Sequence, residues 1–288
     1  MKTIVITGAT SGIGRAAAQE MAARGWQVVG IGRSQEKCDA AVADISAKCP
    51  GSRPVYFTGD LSLQREVNRL ADEVIAYLDK NHAGRLDVLL NNAGCVKDWY
   101  IATEDGYETQ FAVNHLAGFL LAHRLLGALM KAECGRVLTV SSGSHYKTLV
   151  RWNDIMHKRG YNCLLVYKQS KLCNVLFTHE FNRRYKDTPV RAYAVDPGLV
   201  NTDIGKKGTG GFISWFWGIR SKYGTPASEP AKTISYLCQQ GKDFSPKWAY
   251  FYNSLEKEPS KPSRDCVGMK RLWELSEQLC GIQEGEVK

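Results

Sequence analysis

The stretch TIVITGATSGIGRAAA, residues 3–18, places a short apolar run, a glycine-rich loop and an alanine-rich segment directly after one another. Gly8, Gly12 and Gly14 follow the spacing Gly-x3-Gly-x-Gly inside that loop. Glycines at such positions allow a tight turn and let backbone N–H groups approach a pyrophosphate, while the N-terminus of the next helix attracts the anion. The stretch therefore predicts a strand, a phosphate-binding loop and a helix, and an ordinary tight turn is the alternative.

The rest of the chain repeats this alternation of short apolar runs and amphipathic stretches. We predict strands at residues 3–7, 27–31, 54–58, 87–91, 136–141, 190–195 and 248–252. We predict helices near residues 12–24, 35–48, 62–80, 104–131, 163–186, 227–240 and 266–280. Apolar strands that alternate with helices indicate a parallel sheet covered on both faces, and right-handed crossovers make it doubly wound. The expected fold class is α/β, a Rossmann-type sheet in one three-layer domain spanning residues 1–288.

Composition argues against several other classes of protein. The net charge is +9, but the 38 Lys and Arg residues are scattered without a basic run, so we expect no nucleic-acid partner. No apolar run reaches the roughly 18 residues of a membrane span, and the first strand leads into the glycine loop rather than a signal-peptide cleavage site. The nine cysteines show no Cys-x-x-Cys spacing and no histidine at metal-ligand spacing, so we expect no metal and a reducing, cytoplasmic compartment.

The end of the second predicted strand bears on the type of dinucleotide. NAD binding favours a carboxylate about 20 residues after the glycine loop, where it accepts a hydrogen bond from the ribose 2′-OH. The strand instead ends in GIGR, residues 30–33, and Arg15 lies directly after the glycine loop. A guanidinium group matches the oxygens of a 2′-phosphate. Arg33 and Arg15 therefore favour NADP(H), and a solvated surface arginine is the alternative interpretation.

Two further groups of residues lie at the ends of later strands. The fourth strand closes with NNAG, residues 91–94, and the fifth ends in VSS, residues 140–142. Tyr167 and Lys171 are four residues apart and so share one face of the helix that follows. The order of glycine loop, Asn-Asn-Ala-Gly, serine and Tyr-x3-Lys, with Asn114 among them, resembles the short-chain dehydrogenase/reductase family over the whole chain.

That resemblance implies an oxidoreductase with Tyr167, Lys171, Ser142 and Asn114 as its catalytic residues. A tyrosine hydroxyl with a pKa of about 10 is a poor acid–base near neutrality, but a lysine ammonium one helical turn away and the oxidised nicotinamide both favour the phenolate. Lys171 would also hold the nicotinamide ribose, and Asn114 would position a water that connects Lys171 to solvent. Ser142 would donate a hydrogen bond to the substrate oxygen, with Ser141 as the competitor for that role.

The family pattern also implies contacts with the cofactor along the whole cleft. Asp60, in the turn after the third strand, would accept a hydrogen bond from the adenine amine or cap a helix beginning near Ser62, and the two roles are compatible. Together with the loop and the two arginines, the expected cofactor contacts are Gly8, Ser11, Gly12, Ile13, Gly14, Arg15, Arg33, Asp60, Leu61, Asn91, Ala93, Gly94, Tyr167, Lys171, Pro197, Gly198, Val200 and Thr202.

The segments that would face the substrate resemble one subgroup of the family. The long segment 143–166 ahead of the Tyr-x3-Lys motif and the stretch RLWELS at residues 271–276 are similar to the retinol dehydrogenase group and its polyprenol- and WW-domain-linked relatives. The resemblance implies a lid at about residues 203–226, whose aromatic segment 212–217 would favour a bulky apolar alcohol or carbonyl. Packing of that segment onto the core and shallow insertion into a membrane surface are the other interpretations.

Two functions from other classes compete with the dehydrogenase interpretation. A cofactor-sensing binding protein with little turnover would use the same fold, but the intact Ser, Tyr, Lys and Asn set argues against it. An isomerase or epimerase is disfavoured because the loop spacing at residues 8–14 differs from the Gly-x2-Gly-x2-Gly of the branch that modifies sugar nucleotides. The sequence leaves the oligomeric state, the exact substrate and the direction of the reaction open.

Overall fold

One central sheet organises the chain, and the computed structural model describes residues 1–201 and 224–282. Its strands are β1 Thr3–Thr7, β2 Gln27–Gly32, β3 Val55–Thr58, β4 Val88–Asn91, β5 Arg136–Val140, β6 Arg191–Asp196, β7 Tyr250–Tyr252 and β8 Leu255–Glu256. They lie in the order β3-β2-β1-β4-β5-β6-β7-β8, with β1 to β7 parallel and β8 antiparallel to β7. The chain crosses back over β1 between β3 and β4, so the sheet is doubly wound and the predicted α/β Rossmann-type class is confirmed.

Helices cover both faces of this sheet. They are α1 Gly12–Ala23, α2 Gln35–Lys48, α3 Gln64–His82, α4 Thr109–Phe111, α5 Ala117–Arg124, α6 Leu126–Met130, α7 Cys163–Arg184, α8 Ser228–Cys238 and α9 Cys266–Leu279. Side chains of α1, α2 and α8 share one buried cluster with the sheet, and those of α3, α5, α6, α7 and α9 share the other. The sheet is therefore the middle of three layers.

Strand β1 contributes side chains to the buried clusters on both faces of the sheet. Ile4 and Ile6 pack in the cluster with α1 and α8, whereas Val5 packs in the cluster with α3 and α7. All three side chains are 0% exposed, and burying each one stabilises the fold by roughly 1.5–3 kcal/mol. Burial on both faces explains why this strand is an unbroken apolar run rather than an alternating one.

The prediction of one continuous helix at residues 104–131 is wrong in two respects: its first residues are not helical, and the helix is interrupted. Gly106 lies in the left-handed region at φ +83°, so a turn precedes α4 where the sequence predicted helix. A π-helical turn at Ala112–Leu116 then separates α4 from α5. Such turns often occur at functional sites, and this one carries Asn114.

Strand β8 was not predicted from the sequence. Asn253 and Ser254 both lie in the left-handed region, at φ 49° and 60°, and join β7 to β8 as a two-residue turn. The hairpin lies at the carboxyl end of β6, because Asp196 pairs with Tyr252 in the parallel ladder. The residues that follow β8 can therefore reach the carboxyl ends of the parallel strands.

Candidate active site

A cleft of about 1350 Å³ runs along the carboxyl ends of the parallel strands. The glycine loop, the ends of β2, β4, β5 and β6, and one face of α7 line it. Open α/β sheets bind their ligands at this edge. The volume exceeds the roughly 300–1,000 Å³ of ordinary small-molecule pockets.

The glycine loop between β1 and α1 has a backbone geometry that favours glycine. Gly8 and Gly12 lie at φ +66° and +54°, and a Cβ on Gly14 would collide with the carbonyl oxygen of Gly8. Gly8, Ser11, Gly12 and Ile13 line the cleft, whereas Gly14 is buried behind them. The loop fits a pyrophosphate, because the first turn of α1 presents backbone N–H groups that lack intrahelical partners.

The two arginines that the sequence singled out lie in different places. Arg33, at the end of β2, lines the cleft, and residues 27–35 contain no Asp or Glu. The Arg15 guanidinium lies 2.9 Å from the Asp44 carboxylate on α2, and Arg15 does not line the cleft. Hydrogen bonds from Arg15 and Lys48 lower the pKa of the Asp44 carboxyl to about 2. Of these two arginines, only Arg33 therefore lines the cleft.

The turn after β3 contributes Asp60 and Leu61 to the lining of the cleft. The Asp60 Oδ1 atom accepts a hydrogen bond from the Ser62 N–H at 2.9 Å, which holds the turn closed. Helix α3 begins only at Gln64, so Asp60 shapes the turn ahead of the helix rather than capping the helix itself. The contact between Asp60 and adenine stays a prediction.

The Asn-Asn-Ala-Gly segment after β4 divides between bracing the sheet and lining the cleft. Asn91 is buried, and its Nδ2 donates to a backbone carbonyl of α5 at 3.0 Å. The Asn92 Nδ2 donates to the Thr7 carbonyl at 2.9 Å and so ties this segment to the glycine loop. Ala93 and Gly94 line the cleft.

Tyr167 and Lys171 lie one turn apart on α7, and both line the cleft. The Lys171 Nζ lies 5.6 Å from the centre of the Tyr167 ring and donates to the Val140 carbonyl at 2.9 Å. Lys171 is 2% exposed, and its burial lowers the pKa of the ammonium to about 8. A charged lysine held this close to a tyrosine stabilises the phenolate form.

The two serines at the end of β5 use their hydroxyl groups differently. Ser141 is fully buried, and its Oγ donates to the Lys171 carbonyl at 2.8 Å. The Oγ of the half-buried Ser142 accepts a hydrogen bond from the Ser144 N–H at 3.2 Å. A hydroxyl that accepts one bond keeps its own proton for another acceptor. The geometry therefore favours Ser142 over Ser141 as a donor into the cleft.

Asn114 lies in the π-helical turn and is 5% exposed. Its Oδ1 accepts from the Cys95 N–H at 2.7 Å, and its Nδ2 donates to the Ser170 Oγ at 3.0 Å. These bonds brace the loop after β4 against α7. Asn114 lines a small cavity beside the cleft rather than the cleft itself, and its role in positioning a water stays a prediction.

The segment after β6 is described only in part. Pro197, Gly198 and Val200 line the cleft, and their contacts with a cofactor stay predictions. Thr202, most of the predicted lid at residues 203–226 and the whole aromatic segment 212–217 lie outside the described residues.

Sequence reasoning assigned no role to Asp196 or Lys257, and both line the cleft. A carboxylate directly ahead of Pro-Gly at a strand end was a usable signal for Asp196. No sequence signal pointed to Lys257, because its position depends on the hairpin that was not predicted.

Two other kinds of site are not found in the parts of the chain that the structure describes. Within residues 1–201 and 224–282, no group of three or more His, Cys, Asp or Glu side chains could hold a metal ion. None of the described helices combines the length and the apolar character needed to cross a bilayer.

Comparison with known sequences shows to which family the chain belongs. The family model described as "short chain dehydrogenase" matches residues 2–209. Retinol dehydrogenase 12 of Bos taurus is 35% identical over 283 residues, which cover 98% of this chain and 87% of the relative.

Comparison with solved structures gives the same result for the fold. A putative uncharacterised protein from Mycobacterium paratuberculosis has a TM-score of 0.75 and 32% identity, covering 98% of this chain and 94% of that one. A Sphingobium yanoikuyae short-chain dehydrogenase in complex with NADPH has a TM-score of 0.67 and 18% identity, covering 100% and 98%. A Burkholderia phymatum short-chain dehydrogenase/reductase in complex with NAD has a TM-score of 0.66 and 20% identity, covering 83% and 86%. At these identities, the last two show similarity of fold alone.

Proposed function

The chain belongs to the short-chain dehydrogenase family, and from this premise we propose that it transfers a hydride between NADP(H) and the carbonyl/alcohol pair of a bulky apolar substrate. The observation that carries the proposal is the position of Tyr167 and Lys171, one helical turn apart and in the same cleft as the glycine loop. An acid–base pair beside a dinucleotide-binding loop is the arrangement that carbonyl reduction needs.

In the direction of reduction, Tyr167 donates its hydroxyl proton to the substrate oxygen as negative charge develops there, and it takes the proton back during oxidation. When bound, NADPH supplies the hydride that reaches the carbonyl carbon. The positive charge of Lys171, 5.6 Å from the tyrosine ring centre, lowers the cost of the phenolate. Ser142 donates a hydrogen bond to the same substrate oxygen and so stabilises the developing charge.

Lys171 would also hold the ribose of the cofactor's nicotinamide half. Its ammonium has three protons, and it donates one of them to the Val140 carbonyl at 2.9 Å. The other protons would be available to the hydroxyl groups of that ribose. Loss of Lys171 should therefore weaken both proton transfer and cofactor binding.

The preference for NADP(H) over NAD(H) rests on Arg33. Its side chain lines the cleft at the end of β2, where a 2′-phosphate would lie. A carboxylate at this position would repel that phosphate, and residues 27–35 contain none. A guanidinium group pairs with phosphate oxygens in a forked geometry, which favours the phosphorylated cofactor.

The substrate class rests on the lining of the cleft and on the relatives. Apolar side chains of Ile101, Leu164 and Leu199 line the cleft together with Ser142 and Tyr167. The name of the bovine relative, retinol dehydrogenase 12, states an apolar alcohol as its substrate. A retinoid-, polyprenoid-, steroid- or aldehyde-like compound therefore fits the proposal best.

The test is the oxidation of NADPH and of NADH by the purified protein with retinal, medium-chain aldehydes, steroids and quinones. We expect turnover with the bulky apolar compounds and a kcat/KM for NADPH at least about tenfold above that for NADH, the scale of one charge-assisted pair. Tight NADPH binding with no turnover of any carbonyl would support a cofactor-sensing protein instead. Equal Michaelis constants for the two cofactors would contradict the NADP(H) preference alone.

A further inference from the structure

Asp196, the last residue of β6, joins three segments at the substrate end of the cleft. It is 4% exposed, and its Oδ1 accepts hydrogen bonds from the Gly143 N–H at 2.9 Å and the Gly198 N–H at 3.1 Å. Its Oδ2 lies 3.6 Å from the Lys257 Nζ. One carboxylate thus contacts the residue after Ser142, the turn after β6 and the chain after β8.

His145 holds the peptide between Ser142 and Gly143 from the side opposite Asp196. Its Nε2 accepts a hydrogen bond from the Ser260 N–H at 3.1 Å, so the ring proton lies on Nδ1, which donates to the Ser142 carbonyl at 2.8 Å. The imidazole is fully buried, and burial lowers its pKa, which keeps the ring neutral. The carbonyl of Ser142 is therefore held by His145, and the next N–H along the chain is held by Asp196.

The close approach of the carboxylate depends on the residue at position 143. A Cβ on Gly143 would lie 3.1 Å from the Asp196 Oδ2, which is tighter than ordinary contact. A buried carboxylate also needs several donors to offset its lost hydration. Two backbone N–H groups and the nearby Lys257 ammonium meet that need here.

We propose that Asp196 is a positioning residue for the reaction. By binding the Gly143 N–H, it orients the peptide next to Ser142 so that the serine hydroxyl is directed at the substrate oxygen. Through Lys257 it couples that orientation to the hairpin of β7 and β8. The inference rests on the proposed function, since it requires Ser142 to donate to the substrate. A donor that moves by a fraction of an ångström loses much of its stabilisation of the transition state.

A double-mutant cycle tests the coupling between Asp196 and Ser142 directly. We expect Asp196→Ala to lower kcat about tenfold in the native background, while the dissociation constant for NADPH changes less than about threefold. In the Ser142→Ala background, the same change should lower kcat less than about twofold, because the group that it positions is already absent. Asp196→Asn keeps an Oδ1 acceptor for both N–H groups and should recover most of the kcat.

Asp87 is the matched control for a purely structural role. It is 8% exposed, and its Oδ2 accepts from the Thr3 N–H at 2.8 Å at the amino ends of β1 and β4, away from the cleft. Asp87→Ala should lower the unfolding midpoint and leave kcat unchanged in both backgrounds. If Asp196→Ala does not fold, Asp196→Ser provides the same comparison, because its shorter side chain cannot bridge the same three segments.

The outcomes separate this inference from the proposed function. A loss from Asp196→Ala that is equally large in the native and Ser142→Ala backgrounds would overturn the positioning role, as would an unchanged kcat in the native background. If Ser142→Ala alone retained full turnover, the proposed role of Ser142 would be wrong, and the inference about Asp196 would fall with it.

Discussion

The two ends of the cleft are shaped by contacts of different range. The glycine loop at residues 7–14 takes its course mainly from the backbone torsions of its own glycines and from the helix that directly follows, and the Asn92 side chain, 85 positions after Thr7, braces it. At the substrate end, Gly143 bonds to Asp196, 53 positions away, and His145 bonds to Ser260, 115 positions away. The glycine loop is therefore shaped largely by its own residues, with a brace from the segment after β4, whereas the peptide next to Ser142 is held on both sides by segments that only the fold brings together.

This difference affects how each end should respond to substitution. At the cofactor end, a side chain that lines the cleft should act on binding of the dinucleotide and little else. At the substrate end, buried side chains hold one another, so a substitution should alter kcat, stability or both. Catalytic, titration and binding measurements each test this contrast.

The largest effect is expected at the substrate end, from Tyr167→Phe. The change removes the proposed proton donor but little volume, so folding and NADPH binding should survive. We expect kcat to fall by about 10²-fold to 10⁴-fold, the usual range for general acid–base catalysis. Steady-state turnover combined with NADPH binding by fluorescence measures both quantities.

Tyr161→Phe is the matched control for that change. The Tyr161 hydroxyl lies 3.0 Å from the Lys97 carbonyl and 3.1 Å from the Glu108 Oε1, just ahead of α7. Its loss should lower stability and leave kcat nearly unchanged. A Tyr167→Phe protein that binds NADPH and turns over at a near-native rate would remove Tyr167 from the mechanism.

A smaller effect, on stability, is expected from the buried charge of Lys171. Its pKa of about 8 in the folded protein lies below the unfolded value of 10.5, so the unfolded state binds more protons between these pH values. The free energy of unfolding of the native protein should therefore gain up to about 3 kcal/mol from this group as pH rises from about 8 to about 10.5. Lys171→Met lacks the titrating group and should show no such gain.

Urea unfolding of the apo-proteins at pH 7.5, 9 and 10.5 measures this difference. Other titrating groups are shared by the two proteins, so the native-minus-variant difference isolates Lys171. A difference that stays constant with pH would show that the ammonium is not held at a depressed pKa.

The smallest of the three effects is expected at the cofactor end, from Arg33→Asp. We expect NADPH affinity to fall by about 1–3 kcal/mol, the scale of a charge-assisted hydrogen-bonded pair, with kcat at saturating NADPH little changed. Isothermal titration with NADPH and NADH measures the change for each cofactor. NADH should be affected much less, because it lacks the 2′-phosphate.

Arg15→Gln is the matched control for Arg33→Asp. Its guanidinium pairs with Asp44 at 2.9 Å and does not line the cleft, so we expect little change in NADPH affinity. An equal loss from Arg15→Gln and Arg33→Asp would show that Arg15 leaves Asp44 when the cofactor binds.

The features that could be predicted from the sequence depend on neighbouring residues. The apolar run of β1, the glycines at 8, 12 and 14, and helix α2 at Gln35–Lys48 follow from local periodicity and torsional preference, and the structure has them where they were predicted. The i,i+4 spacing likewise places Tyr167 and Lys171 on one face of α7 before any tertiary contact is known.

The remaining features depend on contacts between elements that are distant in the sequence. Tertiary structure paired Arg15 with Asp44, placed Asn114 in a π-helical turn, and brought Lys257 to Asp196 through the hairpin of β7 and β8, whose turn is Asn253 and Ser254. The bond and charge partners of these side chains lie on other elements of the fold. Hydrogen bonds and ion pairs depend on distances in space, and a linear pattern of residues contains no such distances until the sheet has set its strand order and register.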